Sequence, residues 1–274
     1  MGKLKNLGSK LLAGPYVIWM LLFTVIPLGL IIYNGFTNSD GRFTFKYVAA
    51  IADPVNAKPL LLSFEMSLIV TVVCLLLAFP LAVILSKYST DKNSFIVMIF
   101  ILPMWMNFML RTLAWRLILL NNGFLNQFLT MLGLSKVYLM NTKAAIIFGT
   151  AYDYFPFMVL PIYNAVVKID KDVINAAKDL GATNSVVLRK IILPLSVPGI
   201  VSGITMVLVP SMSEFVIADM LGGGKIYLIG NAIEQAFNSG YADVHAGSGL
   251  SMSLMVLILS LIHISEPTRR VVIS

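Results

Sequence analysis

The chain has 274 residues, of which 58% are hydrophobic and only 12% charged, with a formal net charge of +7. A soluble surface ordinarily carries about 25% charge, so an ordinary soluble enzyme of this length is excluded and a bilayer is the expected solvent. The basic excess sits in short islands beside apolar runs, the pattern of cytoplasmic loop ends rather than of a nucleic-acid surface. The single cysteine, Cys74, lies inside an apolar run, so no disulfide or cysteine metal cluster forms within the chain.

A spanning helix needs roughly 20 mostly apolar residues. That ruler predicts six spans, at Tyr16–Phe36, Leu62–Leu85, Phe95–Trp115, Ala144–Val167, Val197–Leu221 and Gly249–Ile264. Lys3, Lys5 and Lys10 precede the first. Its apolar stretch is too long for a secretory signal and no small-residue cleavage pattern follows, so it reads as an uncleaved anchor. With the N-terminus cytoplasmic, inside segments hold Lys3, Lys5, Lys10, Lys87, Lys92, Lys168, Lys171, Lys178, Arg189 and Lys190. Outside segments carry fewer, and Arg111 and Arg116 among them lie on a long segment that counts for less.

The fourth and fifth spans are separated by residues 168–196, a helical pattern rather than a short turn. Val173, Ile174, Ala177 and Leu180 recur at helical spacing, and Gly181 is placed just past a helix end. Thr183 is an N-cap for a second helix through Val186, Val187 and Leu188 to Ile192, which Pro194 and Pro198 are expected to end. Two short helices with an apolar stripe and a basic rim form a surface that docks a partner; the alternative is an amphipathic loop lying on lipid.

Within this stretch, Ala176, Ala177, Gly181, Ile191, Leu193 and Pro194 keep the spacing of the signature loop of binding-protein-dependent, MetI-like ABC importer permeases: Glu-Ala-Ala, three residues, Gly, nine residues, Ile, one residue, Leu-Pro. Asn175 stands where that family has glutamate. "LRTLAW" (110–115), "YDYFPFMVLPIYNAVVKID" (152–170) and "SEFVIADMLGGGKIYLIGN" (213–231) resemble the membrane subunit of bacterial spermidine/putrescine importers, a likeness that runs to about residue 260. The resemblance implies an all-α membrane protein of six transmembrane helices with the type I ABC importer permease fold, one domain over 1–262. It implies a cytoplasmic coupling loop in which Asn175, Ala176, Ala177, Asp179, Gly181, Ile191, Leu193 and Pro194 meet the ATPase. The implied partners are a second, related permease, two copies of a cytoplasmic ATPase and an external polyamine-binding protein, and ATP is bound by the ATPase rather than by this chain.

The residues fit that division of labour. "GGGK" at 222–225 has Asp219 and Ile226 where a phosphate-binding loop needs Gly and Ser or Thr, so it reads as a glycine-rich turn. His245 and His263 are the only histidines, lie far apart in the expected topology and have no Cys at metal-ligand spacing. No catalytic constellation, cofactor or metal site is expected.

Ionisable residues near the bilayer centre cost on the order of 2.5–3.5 kcal/mol on insertion scales, so they face a pathway or a partner. Asp153 is expected mid-span in the fourth helix, Glu214 and Asp219 in the outer half of the fifth, and Glu65 near the outer end of the second. A linear polyamine alternates ammonium groups with methylenes, which suits carboxylates interleaved with aromatic faces such as Trp105, Trp115, Tyr152, Tyr154 and Phe155. The bland alternatives are interfacial belts or packing for the aromatics and an interhelical hydrogen bond for Asp153. Arg111 and Arg116 are expected to snorkel outward or to pair with the companion permease, not to serve cargo. Other cargoes, whether another organic cation, an anion or a metal complex, share the same machinery. An ion-gradient-driven carrier is a more distant reading, because paired interrupted helices in inverted repeats are not found. The last apolar run breaks into "SEPTRRVVIS", which resembles translated adapter text, so residues 263–274 are expected to be foreign to the native chain.

Overall fold

The computed structural model describes residues 14–87, 102–238 and 243–265. Among these the only extended pairing is an isolated bridge between Thr37 and Phe43. Five helices are long and apolar enough to cross a membrane: Gly14–Gly35, Pro54–Lys87, Lys143–Val167, Asn184–Met212 and Val244–His263. The lysines before the first span, Lys92 and the tail from residue 266 fall outside the described residues.

The chain divides into two compact units, one built from the segment up to Ala57 with Ala232–Ser260, the other from Lys58–Asn231 with the chain from Leu261 onward. In the first, α1 (Gly14–Gly35) is apolar on every side and carries a π turn at Leu21–Val25 just before Pro27. A wider turn there relieves the ladder at a residue that has no N–H to donate. Its C-terminal end packs on the last helix through glycine: a Cβ on Gly35 would touch Gly249, and one on Gly249 would lie 2.5 Å from the Tyr47 backbone. Ser253 Oγ completes the junction by donating to the Val48 carbonyl at 3.0 Å.

The second unit contains α2 (Pro54–Lys87), which at about 1.5 Å per residue is longer than a bilayer core is thick. Its buried positions Ser63, Ser67, Thr71, Cys74, Ala78 and Ala82 recur every three or four residues and form a stripe of small side chains. There follow α3 (Phe108–Leu119), α4 (Phe124–Met131), α5 (Lys143–Val167), α6 (Lys171–Asp179), α7 (Asn184–Met212) and α8 (Val216–Gly222). Next come α9 (Ile229–Asn238), which runs on past this unit, and α10 (Val244–Ser265), the last helix of the first. Between α5 and α7 the spacing Gly199-x-x-x-Gly203 lets the backbones close: a Cβ on Gly199 would lie 2.5 Å from the Pro161 carbonyl oxygen, and one on Gly203 would meet Met158. One core joins Val70, Cys74 and Ala78 of α2 to Met158, Ile162 and Val166 of α5 and Val207 of α7. A second joins Met66, Leu119, Ile146, Ile217 and Leu221.

Three expected boundaries are corrected. The span expected at Phe95–Trp115 is interrupted: a short 3-10 turn at Leu102–Trp105 gives way to α3, because Asn107 Oδ1 takes the amides of Met109 and Leu110 at 2.9 and 3.4 Å and starts a new helix; residues 95–101 lie outside the described residues. The span expected at Val197–Leu221 stops at Met212 and resumes as the separate α8, with Glu214 in the break. Pro194 and Pro198 do not end the preceding helix. A π turn at Leu188–Ile192 absorbs the missing donor at Pro194, and α7 continues through both prolines.

Candidate functional site

Asp153 sits near the middle of α5, buried to 7% exposure, on the face that meets α3. The Asn107 cap fixes where α3 begins, and this sets Arg111 one turn in, with its amide bonded to the Asn107 carbonyl at 3.2 Å. The result is an ion pair, Arg111 Nε to Asp153 Oδ1 at 2.8 Å, with Arg111 only 10% exposed. Thr112 Oγ1 reaches Asp153 Oδ2 at 3.5 Å while also donating to the Phe108 carbonyl. Arg111 further lies over the Tyr152 ring, 5.8 Å from its centroid. The expectation that Arg111 snorkels to the interface or pairs outside the chain is corrected. Arg111 turns inward instead, and an intramolecular carboxylate compensates the desolvation of its guanidinium.

One residue along, Tyr154 Oη donates to Glu214 Oε2 at 3.0 Å. Glu214 Oε1 accepts the Ile217 amide at 3.0 Å, satisfying a first-turn donor of α8. Both contacts to Glu214 come from neutral donors.

These groups line one cavity of about 530 Å³. Its wall includes Asp153, Tyr154 and Phe157 of α5, Asn107, Phe108 and Arg111 at the start of α3, and Pro210, Ser213, Glu214 and Phe215 at the α7–α8 break. Among the lining residues the charged side chains are Arg111, Asp153 and Glu214, one positive and two negative, which leaves a single net negative charge. A net negative chamber with aromatic walls has the chemistry to suit a cation that carries apolar atoms.

Other expected path residues stand elsewhere. Glu65 pairs with Lys143 at 3.2 Å, both about half exposed. Asp219 Oδ1 accepts from Asn231 Nδ2 at 2.8 Å, and Asn231 also receives the Leu228 amide at 3.0 Å, so Asp219 helps to fasten α8 to the start of α9. Asn231 was not singled out from the sequence, and no local pattern marks it. Trp105 is 78% exposed. Tyr152 borders the site through Arg111 and meets Trp115 edge-on, and Phe155 packs on the α2–α5 core. His245 is occupied structurally, its Nδ1 lying 3.0 Å from the Asn34 carbonyl oxygen and its ring stacking on Tyr47.

The segment 168–196 has its own geometry. Asp170 caps α6 by accepting the Asp172 amide at 2.9 Å. The helix closes in a paired C-terminal turn, Ala182 N to Ala177 O at 3.0 Å and Gly181 N to Lys178 O at 2.8 Å, with Gly181 at φ +82°. Asn175, Ala176 and Asp179 are exposed on α6. The apolar stripe splits: Ile174 and Ala177 pack on the core, whereas Leu180 is 90% exposed at the turn. Thr183 precedes the next helix without a side-chain capping bond. Ile191 packs on the same core, and Leu193 and Pro194 follow directly in α7.

Apolar helices of spanning length, with a buried ion pair and a charged chamber among them, define a multi-pass membrane protein with an internal polar cavity. Residues 25–265 match the family model of the binding-protein-dependent transport system inner membrane component, and the chain belongs to that family. It is 36% identical to the spermidine/putrescine transport system permease protein PotB of Salmonella typhimurium (strain SL1344), over 87% of this chain and 86% of that protein. It is 33% identical to the PotB of Haemophilus influenzae, over 95% and 94%. The fold is that of a bacterial alginate ABC transporter chain solved with an alginate-bound periplasmic protein, at TM-score 0.70 and 19% identity over 97% of this chain and 95% of that one. The all-α importer-permease fold that the resemblance implies is the fold observed.

Proposed function

We propose that the chain is the permease subunit of an ATP-driven importer that moves linear polyamines such as spermidine and putrescine inward across the bacterial plasma membrane. The observation that carries the cargo class is the cavity in which Asp153 and Glu214 stand among Tyr154, Phe157, Phe108 and Phe215. Carboxylates compensate the desolvation of ammonium groups, and aromatic faces receive the methylenes between them. The names of the relatives support the same cargo.

In this reading the chain has no catalytic residue and no cofactor. ATP is bound and hydrolysed by two copies of a partner ATPase seated on the segment around Asn175, Ala176, Ala177, Asp179, Gly181, Ile191, Leu193 and Pro194. Closure of those ATPases turns the chamber from inward- to outward-facing. A second, related permease supplies the other half of the pathway, and an external binding protein delivers the cargo. The basic islands favour a cytoplasmic N-terminus and a six-span topology.

The test is uptake of radiolabelled putrescine and spermidine into proteoliposomes holding the chain with its companion permease, ATPase and binding protein. ATP-dependent polyamine uptake is expected. Uptake of an anion or metal complex in preference would retire the cargo class, and uptake driven by an ion gradient without the ATPase would retire the ATP-driven class.

A further inference from the structure

We propose that Arg111 is a built-in counter-ion that occupies Asp153 until cargo arrives, so that productive cargo must carry at least two positive charges. This inference rests on the polyamine reading of the same cavity.

The three charged groups of the chamber are not equivalent. Glu214 is held by neutral donors, the Tyr154 hydroxyl and the Ile217 amide, so its charge is the one left over. Asp153 is already matched by the Arg111 guanidinium at 2.8 Å. A first ammonium therefore goes to Glu214 at no cost in existing ion pairs. A second that comes to Asp153 meets a carboxylate whose charge Arg111 already cancels at Oδ1, so it gains a full ion pair only when Arg111 gives way. The exchange keeps Asp153 paired and leaves the guanidinium charge on the Tyr152 face, whereas removing Arg111 with nothing to replace it leaves a bare buried carboxylate. A monoamine satisfies Glu214 alone and leaves the pair closed. The displaced guanidinium has a seat beside it, since it already lies over the Tyr152 ring at 5.8 Å. Arg111 and Asp153 sit on different helices, α3 and α5, so opening the pair removes one tie between them while the Trp115 contact with Tyr152 remains. Charge counting and a loosening of the α3–α5 contact then become one event.

A purely structural staple has the same geometry but different consequences. Replacing both partners of a structural pair by neutral groups of similar shape is nearly neutral. Replacing both partners of a charge-counting pair removes the second cation site.

The experiment measures uptake KM for putrescine and for a monoamine of matching length, with the reconstituted complex carrying wild-type chain, Arg111→Gln, and the double variant Arg111→Gln/Asp153→Asn. The readout is the ratio of monoamine to diamine KM. Arg111→Gln should raise that ratio by about tenfold, equivalent to 1.4 kcal/mol of differential interaction, because the diamine no longer has to displace a cation. The double variant, which keeps a neutral and similarly shaped pair, should bring the ratio below wild type. A double variant with the wild-type ratio overturns the proposal even where Arg111→Gln fails to reach the membrane, and so does an unchanged ratio in Arg111→Gln. A wild-type complex that takes up no polyamine overturns the cargo reading, and this inference with it. A wild-type complex that takes up polyamine with ratios insensitive to Arg111 overturns the counter-ion role alone.

Discussion

Tyr154 donates to Glu214 at 3.0 Å while the other carboxylate oxygen of Glu214 holds the Ile217 amide, so one side chain is both a charge in the cavity and a cap on α8. The two roles separate by substitution. Glu214→Gln keeps a carbonyl oxygen for the amide and removes the charge. It should lower polyamine uptake severalfold at unchanged membrane abundance. Glu214→Ala loses the cap as well and should cost about 1 kcal/mol of stability beyond that. Uptake and abundance measured on the same variants check this; normal uptake in Glu214→Gln would remove the residue from the path.

The closest approach of α5 and α7 depends on glycine. A Cβ at Gly199 would sit 2.5 Å from the Pro161 carbonyl oxygen and 2.5 Å from the Ala165 Cβ, neither of which is a flexible side-chain end. Gly199→Ala is therefore expected to destabilise by about 1–3 kcal/mol through overpacking. Gly29→Ala, where nothing lies within 4 Å, is expected to be neutral or stabilising. Thermal unfolding of the detergent-solubilised protein ranks the two. Equal melting temperatures would mean that the helices can slide apart without loss.

Apolar runs are legible because the bilayer imposes length and composition directly, and the helix end at Gly181 because its glycine acts on local backbone, whereas the cap expected at Thr183 makes no side-chain bond. Hydropathy was blind to the breaks at Asn107 and at Ser213–Phe215, since a helix stops there through hydrogen bonding and not through a loss of apolarity. The prolines at 194 and 198 were misread because a π turn can absorb a missing donor without any marker in composition. Asp153 and Glu214 were found by their cost in a membrane, but the partner of Asp153 lies on a distant part of the chain that no local period connects. The Gly199-x-x-x-Gly203 spacing was present in the sequence and is the signal that would have predicted the α5–α7 contact.

Glu65, expected on the path, is instead about half exposed beside Lys143. Exposed pairs of this kind contribute about 0.2–1 kcal/mol at most. Glu65→Gln should leave uptake within about twofold of the parent and shift stability by less than about 1 kcal/mol. A loss of uptake comparable to that of Glu214→Gln would place Glu65 on the cargo route despite its distance from the cavity wall.

The turn after α6 tests whether the segment couples to an ATPase. Gly181 has φ +82° and open space where a side chain would go, so substitution there strains the backbone without a clash. A non-glycine residue in that region costs roughly 1–2 kcal/mol, least for asparagine. Beside it Leu180 stands 90% exposed, so the turn presents an apolar tip whose position depends on the glycine. Gly181→Asp should abolish uptake while the protein stays in the membrane, because strain and charge fall together on the surface proposed to meet the ATPase. Gly181→Asn, which tolerates the same backbone, should retain a substantial share. Asn175→Glu, which restores the acidic residue of the importer signature on the exposed face of α6, should leave ATPase binding unchanged or tighten it. ATPase pull-down and uptake on the three variants decide the matter: parental import by Gly181→Asp, or a clear loss of ATPase binding by Asn175→Glu, would mean that the ATPase grips this chain elsewhere.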